Sequence, residues 1–255
     1  MIEVTDVLGR VHRFECPPRR VVSLVPSLTE TLFELGAGDA VAGVTEFCIF
    51  PDPAVAPLPR FGGTKTPRVD EIRSLAPDLV YVNLEENLRR HAEAIAEFAP
   101  VFATEPKSVA DVVDLIGQLG TIHDAFEAAR QWTARIEEEA RALAGNAPFR
   151  FACAIWKEPW MWCGGDTYVS DLVAAAGGRN VLAAESRYPR RTVDEIAALG
   201  PDVVFLPDEP YVFTAADAAA VRERFHVVGP FPGHLFTWHG TRTALGLRFL
   251  RDALR

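Results

Sequence analysis

The chain has 255 residues, with 26 Lys and Arg against 35 Asp and Glu, a formal net charge of −9 and 49% hydrophobic residues. Nucleic acid and anionic lipid both need a basic face, so this balance excludes them as primary partners. The length suits two domains of ordinary size, and no run approaches the ~18–20 apolar residues of a membrane span.

Ile2 to Phe14 alternates apolar and polar residues around Gly9 and reads as a hairpin. After Pro17-Pro18, the apolar run Val21 to Val25 has the composition of a strand buried on both faces of a parallel sheet. Helical and strand patterns then alternate: helix 29–35, strand 41–45, helix 69–75, strand 79–83, helix 87–98 and strand 101–103. Such alternation predicts an α/β fold. Residues 108–144 keep a helical period without proline and break near Thr121 to Asp124, where Asp124 is the expected N-cap of a helix about 30 Å long. The α/β pattern resumes at 149–156 and closes with a helix over 241–254.

One unit occurs twice. Val69-Asp70-Glu71-Ile72, followed by Pro77-Asp78-Leu79-Val80, returns 124 residues later as Val193-Asp194-Glu195-Ile196, followed by Pro201-Asp202-Val203-Val204. A second echo, Leu32 to Val41 with Leu172 to Val181, runs at an offset of 140, so the first copy carries about 16 extra residues near Phe47 to Lys65. These distances are too long for a solenoid and fit two similar lobes. The expected organisation is a lobe over 1–121 with its leading hairpin, a linking helix over 122–145 and a second lobe over 146–255. Both lobes have mainly parallel sheets, and a ligand cleft is expected between them.

Strand ends of open α/β sheets face the ligand crevice, which singles out Trp156, Trp160, Met161 and Trp162 at one strand end and Trp238 and His239 near the last helix. Tryptophan supplies large flat area with little rotamer entropy to lose, as a planar chelate requires, although core packing is the competing role. Phe47, Cys48 and Lys65 lie in the extra chain, while Glu85 to Asn87 read equally as polar contacts or as helix capping. Thr192 with Glu195 predicts a capping box, and Thr66 before Pro67 a second N-cap. His234 and His239 lack the spacing of a helical zinc pair, so no metal site is expected. The four cysteines have no paired metal spacing and fit reduced thiols better than a disulfide framework. No nucleophile elbow, phosphate loop or dinucleotide fingerprint is present, so no catalytic residue is assigned.

Arg20 to Glu30, Gly62-Gly63-Thr64-Lys65, the two Val-Asp-Glu-Ile helices and the linking helix resemble the solute-binding proteins with a helical backbone, over essentially the whole chain. Phe47 to Pro51, Asn83 to Asn87, Ile155 to Met161, Glu209-Pro210-Tyr211 and Phe236 to Gly240 are similar to a sub-group labelled cobalamin- or iron-chelate-binding, whose members commonly lack an export signal. Thr64 stands where the cobalamin receptor of this family has an aromatic residue. The resemblance implies a monomeric, non-enzymatic receptor of an ABC importer that holds cobalamin, haem or a ferric siderophore, with no intrinsic cofactor. Its ligand contacts would come from Phe47, Cys48, Lys65, Glu85, Trp156, Trp160, Trp162, Tyr211, Trp238 and His239. Asp70 and Asp194 would dock on a two-fold permease. A cytosolic chelate carrier, or an enzyme acting on a tetrapyrrole or siderophore, are the alternatives. Residues 1–15 contain no charged stretch followed by an apolar one, so the chain as encoded is expected in the cytoplasm, and outside it if Met1 replaces a trimmed signal peptide.

Overall fold

The computed structural model describes residues 1–254. The chain divides into two units, Met1–Pro106 with Val113–Ala134, and Lys107–Val112 with the chain from Arg135 on.

The first unit opens with β1 (Ile2–Thr5) and β2 (Val11–Phe14), paired antiparallel. Buried Asp6 closes their turn by accepting the backbone N–H of Leu8 and Arg10 at 3.0 and 2.9 Å, and its other oxygen takes the N–H of Ala103. Then follow β3 (Val21–Ser23), α1 (Pro26–Glu34), β4 (Val41–Val44), β5 (Gly62–Gly63), β6 (Thr66–Pro67), α2 (Val69–Leu75), β7 (Leu79–Asn83), α3 (Arg89–Ala96) and β8 (Val101–Thr104). A four-stranded parallel sheet runs in the order β4-β3-β7-β8. Val22, Val80, Val82 and Ala103 of its strands pack with Ile72 of α2 and Ile95 of α3. Buried positions on both faces explain why these strands read as continuous apolar runs rather than alternating ones.

Two helices continue the chain, α4 (Val109–Ile122) and α5 (Phe126–Leu143). The expected break is present, but Asp124 is not the N-cap: its φ of +55 makes it the left-handed turn between the helices. A Cβ on Gly120 would lie 2.5 Å from that of Ala129, so glycine permits the close approach of α4 and α5 there.

The second unit contains β9 (Phe149–Trp156), β10 (Met161–Trp162), α6 (Tyr168–Ala174), β11 (Gly178–Asn180), α7 (Val193–Leu199), β12 (Val203–Pro207), α8 (Ala215–Arg222), β13 (Val227–Phe231), α9 (His234–Thr237) and α10 (Thr243–Ala253). Strands β11, β9, β12 and β13 pair in parallel, and β10 returns antiparallel against β9. Glu139 of α5 holds Arg248 and Arg251 of α10, each at 2.6 Å.

The duplicated segments fold alike. Each gives a seven-residue helix, a left-handed residue and a parallel strand: α2, Ala76 (φ 47) and β7 in one unit, α7, Gly200 (φ 62) and β12 in the other. The repeated aspartate performs the same task in both. Asp78 accepts the backbone N–H of Arg19 and Arg20 at 3.0 and 2.9 Å before β3, and Asp202 accepts that of Arg150 at 2.6 Å in β9. Their helix starts differ. Thr192 and Glu195 form the expected capping box, whereas Thr66 lies in β6 and Arg68 occupies the N-cap of α2 with no side-chain cap. Arg68 instead pairs with Glu71 at 2.8 Å.

The left-handed cap yields a test, because nothing lies within 4 Å of a Cβ built on Gly200. Gly200→Ala therefore meets only the backbone penalty, an expected loss of about 1–2 kcal/mol by urea denaturation. Ala76→Gly, which relieves the same penalty, is expected not to lower stability.

Candidate functional site

In the first unit, three segments beyond the carboxyl ends of the strands are tied together by two asparagines. Asn87 donates to the carbonyls of Leu24 (3.1 Å) after β3 and Thr64 (2.9 Å) in the β5–β6 turn, and accepts the N–H of Asn83 at 2.7 Å. Asn83 in turn accepts the N–H of Glu85 at 2.8 Å. Asn87 is thus a tie between strand ends, and the N-cap of α3 is Leu88. On this frame the Lys65 ammonium donates to the carbonyl of Glu85, which brings two of the expected contact residues together. The Phe47 ring, 59% exposed, lies against Gly63, where an added Cβ would come within 3.1 Å. Ile49 and Leu84 are also exposed, so this strand-end face is apolar with acids around it.

Arg60 shapes the extra loop by donating to the carbonyls of Thr45 and Cys48 at 2.9 and 2.8 Å. Cys48 corrects the sequence expectation. It is fully buried, its Sγ lies 3.2 Å from the hydroxyls of both Thr29 and Thr45, and burial pushes its thiol pKa up. Its role is to anchor the loop from below rather than to meet a ligand.

The second unit presents a row of rings at its strand ends. Trp156 meets Tyr211 edge-on at 5.4 Å, Tyr211 meets Phe213 at 4.8 Å, and Phe213 stacks on Trp160 at 5.6 Å, which stacks on Trp162 at 5.5 Å. Trp156 is 40% exposed, Tyr211 and Trp160 are half-buried, and Phe213 and Trp162 are buried, Trp162 at 0%. Trp162 is therefore a second correction. Opposite Ala154 in the β9–β10 register, it points into the core, and its Nε1 donates to the carbonyl of Arg191 at 2.9 Å. Lys157, beside Trp156, pairs with Asp217 of α8; this contact, with the backbone and hydroxyl of Thr214, lowers the Asp217 carboxyl to about 2.

Trp238 and His239 form a separate buried group, contrary to the expectation that they offer contact surface. The Trp238 Nε1 donates to Glu209 at 3.1 Å and Arg242 lies over its ring at 5.3 Å. Burial raises the Glu209 carboxyl, partly offset by that hydrogen bond. Asp208 accepts the N–H of Gly233 at 2.6 Å, and a Cβ on Gly233 would come within 2.4 Å of the Glu209 nitrogen, so Asp208-Glu209 fixes the turn that leads to Trp238. Among the described residues, no three His, Cys, Asp or Glu converge as a metal site.

Residues 21–225 match the family model described as periplasmic binding protein. The chain belongs to this family. The vitamin B12-binding protein of Vibrio cholerae is 25% identical over 74% of this chain and 70% of its own length. A cobalamin-binding protein of Halobacterium salinarum is 30% identical over 78% of this chain and 56% of its own. The crystal structure of the periplasmic vitamin B12 binding protein of Vibrio cholerae superposes with a TM-score of 0.79 at 20% identity, covering 93% of this chain and 97% of that one, which shows the shared fold.

In this binding protein, sequence reasoning missed Arg60 and Phe213, and did not foresee that Asn83 and Asn87 tie the strand ends together. Their signals are faint, because a single arginine or asparagine in a loop says nothing about which carbonyls it will meet. Asp70 and Asp194 are exposed in the first turns of α2 and α7, and Asp194 pairs with Arg224 at 2.6 Å. Among the described residues no helix is long and apolar enough to cross a membrane.

Buried His239 and half-buried His123 are expected to make the protein acid-sensitive. Burial lowers His239, packed against Tyr168, to about 4, and His123, 2.8 Å from the Tyr81 hydroxyl, also to about 4. Unfolding restores a value near 6.5, so the unfolded chain binds more protons between the two values and stability falls as pH drops from about 6.5 toward 4. Urea denaturation across that window is expected to register up to about 3 kcal/mol per histidine. His239→Gln should flatten its share of the slope.

Proposed function

We propose that this chain is the substrate-binding component of an ABC importer for a metal chelate, and that the chelate is a corrinoid. The rings of Trp156, Tyr211 and Trp160, backed by buried Phe213, carry the reading, since ring faces at strand ends suit a large flat ligand. Charge narrows the ligand. The strand-end segments hold Glu46, Glu85 and Glu86 in one unit and Glu158, Asp208 and Glu209 in the other. Several cations near them make contacts within the protein: Lys65 on the Glu85 carbonyl, Lys157 on Asp217, Arg60 on backbone carbonyls and Arg68 on Glu71. Haem propionates and anionic ferric siderophores would meet these acids at an electrostatic cost, whereas an amide-rimmed corrinoid would not. Phe47, packed against Gly63, supplies an aromatic surface one residue from Thr64, where the cobalamin receptor carries its own. The B12- and cobalamin-binding names of relatives at 25% and 30% identity agree with this choice.

Titration with cyanocobalamin, haem and a ferric siderophore, read by tryptophan fluorescence, tests the assignment. Tightest binding to the corrinoid is expected. Preference for haem or the siderophore, or binding to none of them, would overturn it. Trp156→Ala is expected to weaken corrinoid binding by roughly 10- to 100-fold with little change in melting temperature. Trp162→Ala, by contrast, should cost about 3–5 kcal/mol of stability.

The reading places the monomer outside the cytoplasm, docked on a permease dimer through Asp70 and Asp194. What supports it is the exposure of both acids at matched positions of a duplicated helix and the periplasmic family. Rim charges set association rate and its salt dependence more than affinity. The Asp70→Ala/Asp194→Ala protein should therefore dock more slowly on its permease at low salt while corrinoid affinity is unchanged. Equal docking rates for the two proteins would remove both acids from the interface.

A further inference from the structure

Cys153 and Cys163 face each other across the β9–β10 pair. The register sets Trp162 opposite Ala154, and one position further the N–H of Cys163 donates to the carbonyl of Cys153 at 2.9 Å. Ala154 and Trp162 point together into one core of the second unit, so alternation sends Cys153 and Cys163 together to the opposite face, where Phe205, the β12 partner of Cys153, packs on Phe151 and Phe236. Both thiols are fully buried and free, and they are near enough for one to hydrogen-bond the other. Directly opposite residues of antiparallel strands have Cα atoms about 4.5–5.5 Å apart, within the roughly 4.4–6.8 Å that a disulfide spans.

We propose that Cys153 and Cys163 are a disulfide-forming pair that closes when the chain folds in an oxidising compartment. The oxidant is a disulfide such as glutathione disulfide. A thiolate of one cysteine attacks it, forming a mixed disulfide and expelling one glutathione thiolate. The second cysteine then attacks the mixed disulfide and expels the other. The protein loses two protons and two electrons, one S–S bond forms in it, and one S–S bond of the oxidant becomes two thiols. The bond would staple the base of the turn that carries Trp156, Lys157 and Trp160. In the folded dithiol, burial excludes the oxidant and raises the Cys153 thiol well above its usual range, so oxidation belongs to folding or to local opening of β10. The inference does not depend on which chelate is bound.

Refolding from urea with excess glutathione disulfide, followed by alkylation under denaturing conditions and peptide mapping, tests it. Of the four cysteines, Cys16 and Cys48 are expected to take alkylating reagent, while Cys153 and Cys163 appear in one cross-linked peptide pair lighter by two hydrogens. The oxidised protein should melt about 5–10 °C above the reduced one. A Cys153→Ala/Cys163→Ala protein should melt at the same temperature with or without oxidant. Alkylation of both Cys153 and Cys163 after oxidative refolding, or a cross-link between any other pair, would overturn the proposal. Exchanging ligand-free and corrinoid-loaded protein in the same assay separates it from the ligand assignment, since the cross-link is expected in both.

Discussion

Parallel strands buried on both faces leave their first and last backbone groups to be satisfied by something other than water, and the two units are organised around meeting that demand. At the amino ends the repeated aspartates do so: Asp78 accepts the N–H of Arg19 and Arg20, and Asp202 that of Arg150. At the carboxyl ends the first unit uses Asn83 and Asn87, and the second uses Asp208 on the N–H of Gly233. The same side chains that satisfy the backbone also fix the loops in space. A binding surface built on strand ends is in this sense a consequence of how a buried parallel sheet must finish.

That constraint explains the division of labour among residues of similar chemistry. Trp156 and Trp162 are both tryptophans near the end of the β9–β10 hairpin, yet one is exposed and the other forms part of the core. Strand parity alone would put them on one face, since Trp156 and Ala154 are two apart and Trp162 is opposite Ala154. The difference is position along the strand: Trp162 lies in the core cluster that includes Leu182, Ile196 and Phe213, whereas Trp156 stands at the last residue of β9 with Tyr211 against its edge. Lys157 and Lys65 show the same logic for charge. Each is held by an acceptor nearby, Asp217 or the Glu85 carbonyl, but only Asp217 neutralises its partner's charge.

The duplication was legible because helix, left-handed cap and strand are encoded locally. Val-Asp-Glu-Ile, the residue at the turn and Pro-Asp before an apolar run gave both copies of the unit, and the structure returns them as α2–β7 and α7–β12. Short-range geometry was less secure. Thr66 and Asp124 have the composition of N-caps, but Thr66 pairs with Gly63 in the β5–β6 hairpin and Asp124 makes the left-handed bend after α4. Capping is a preference of about 1 kcal/mol, and a pairing strand or an interhelical turn easily outweighs it.

Composition, the internal repeat and the apolar runs by themselves determined an α/β chain of two similar units, with aromatic residues concentrated after its strands. Those properties are set by neighbours within a few residues, through side-chain period and turn chemistry. The tertiary structure alone decided which of those aromatics are surface and which are core. It buried Cys48, Trp238 and His239, linked Lys65 to Glu85, and set Cys153 opposite Cys163. Each depends on which strand or loop lies alongside, and residues such as Lys65 and Glu85, 20 positions apart, are brought together only by packing between segments that the local sequence does not specify.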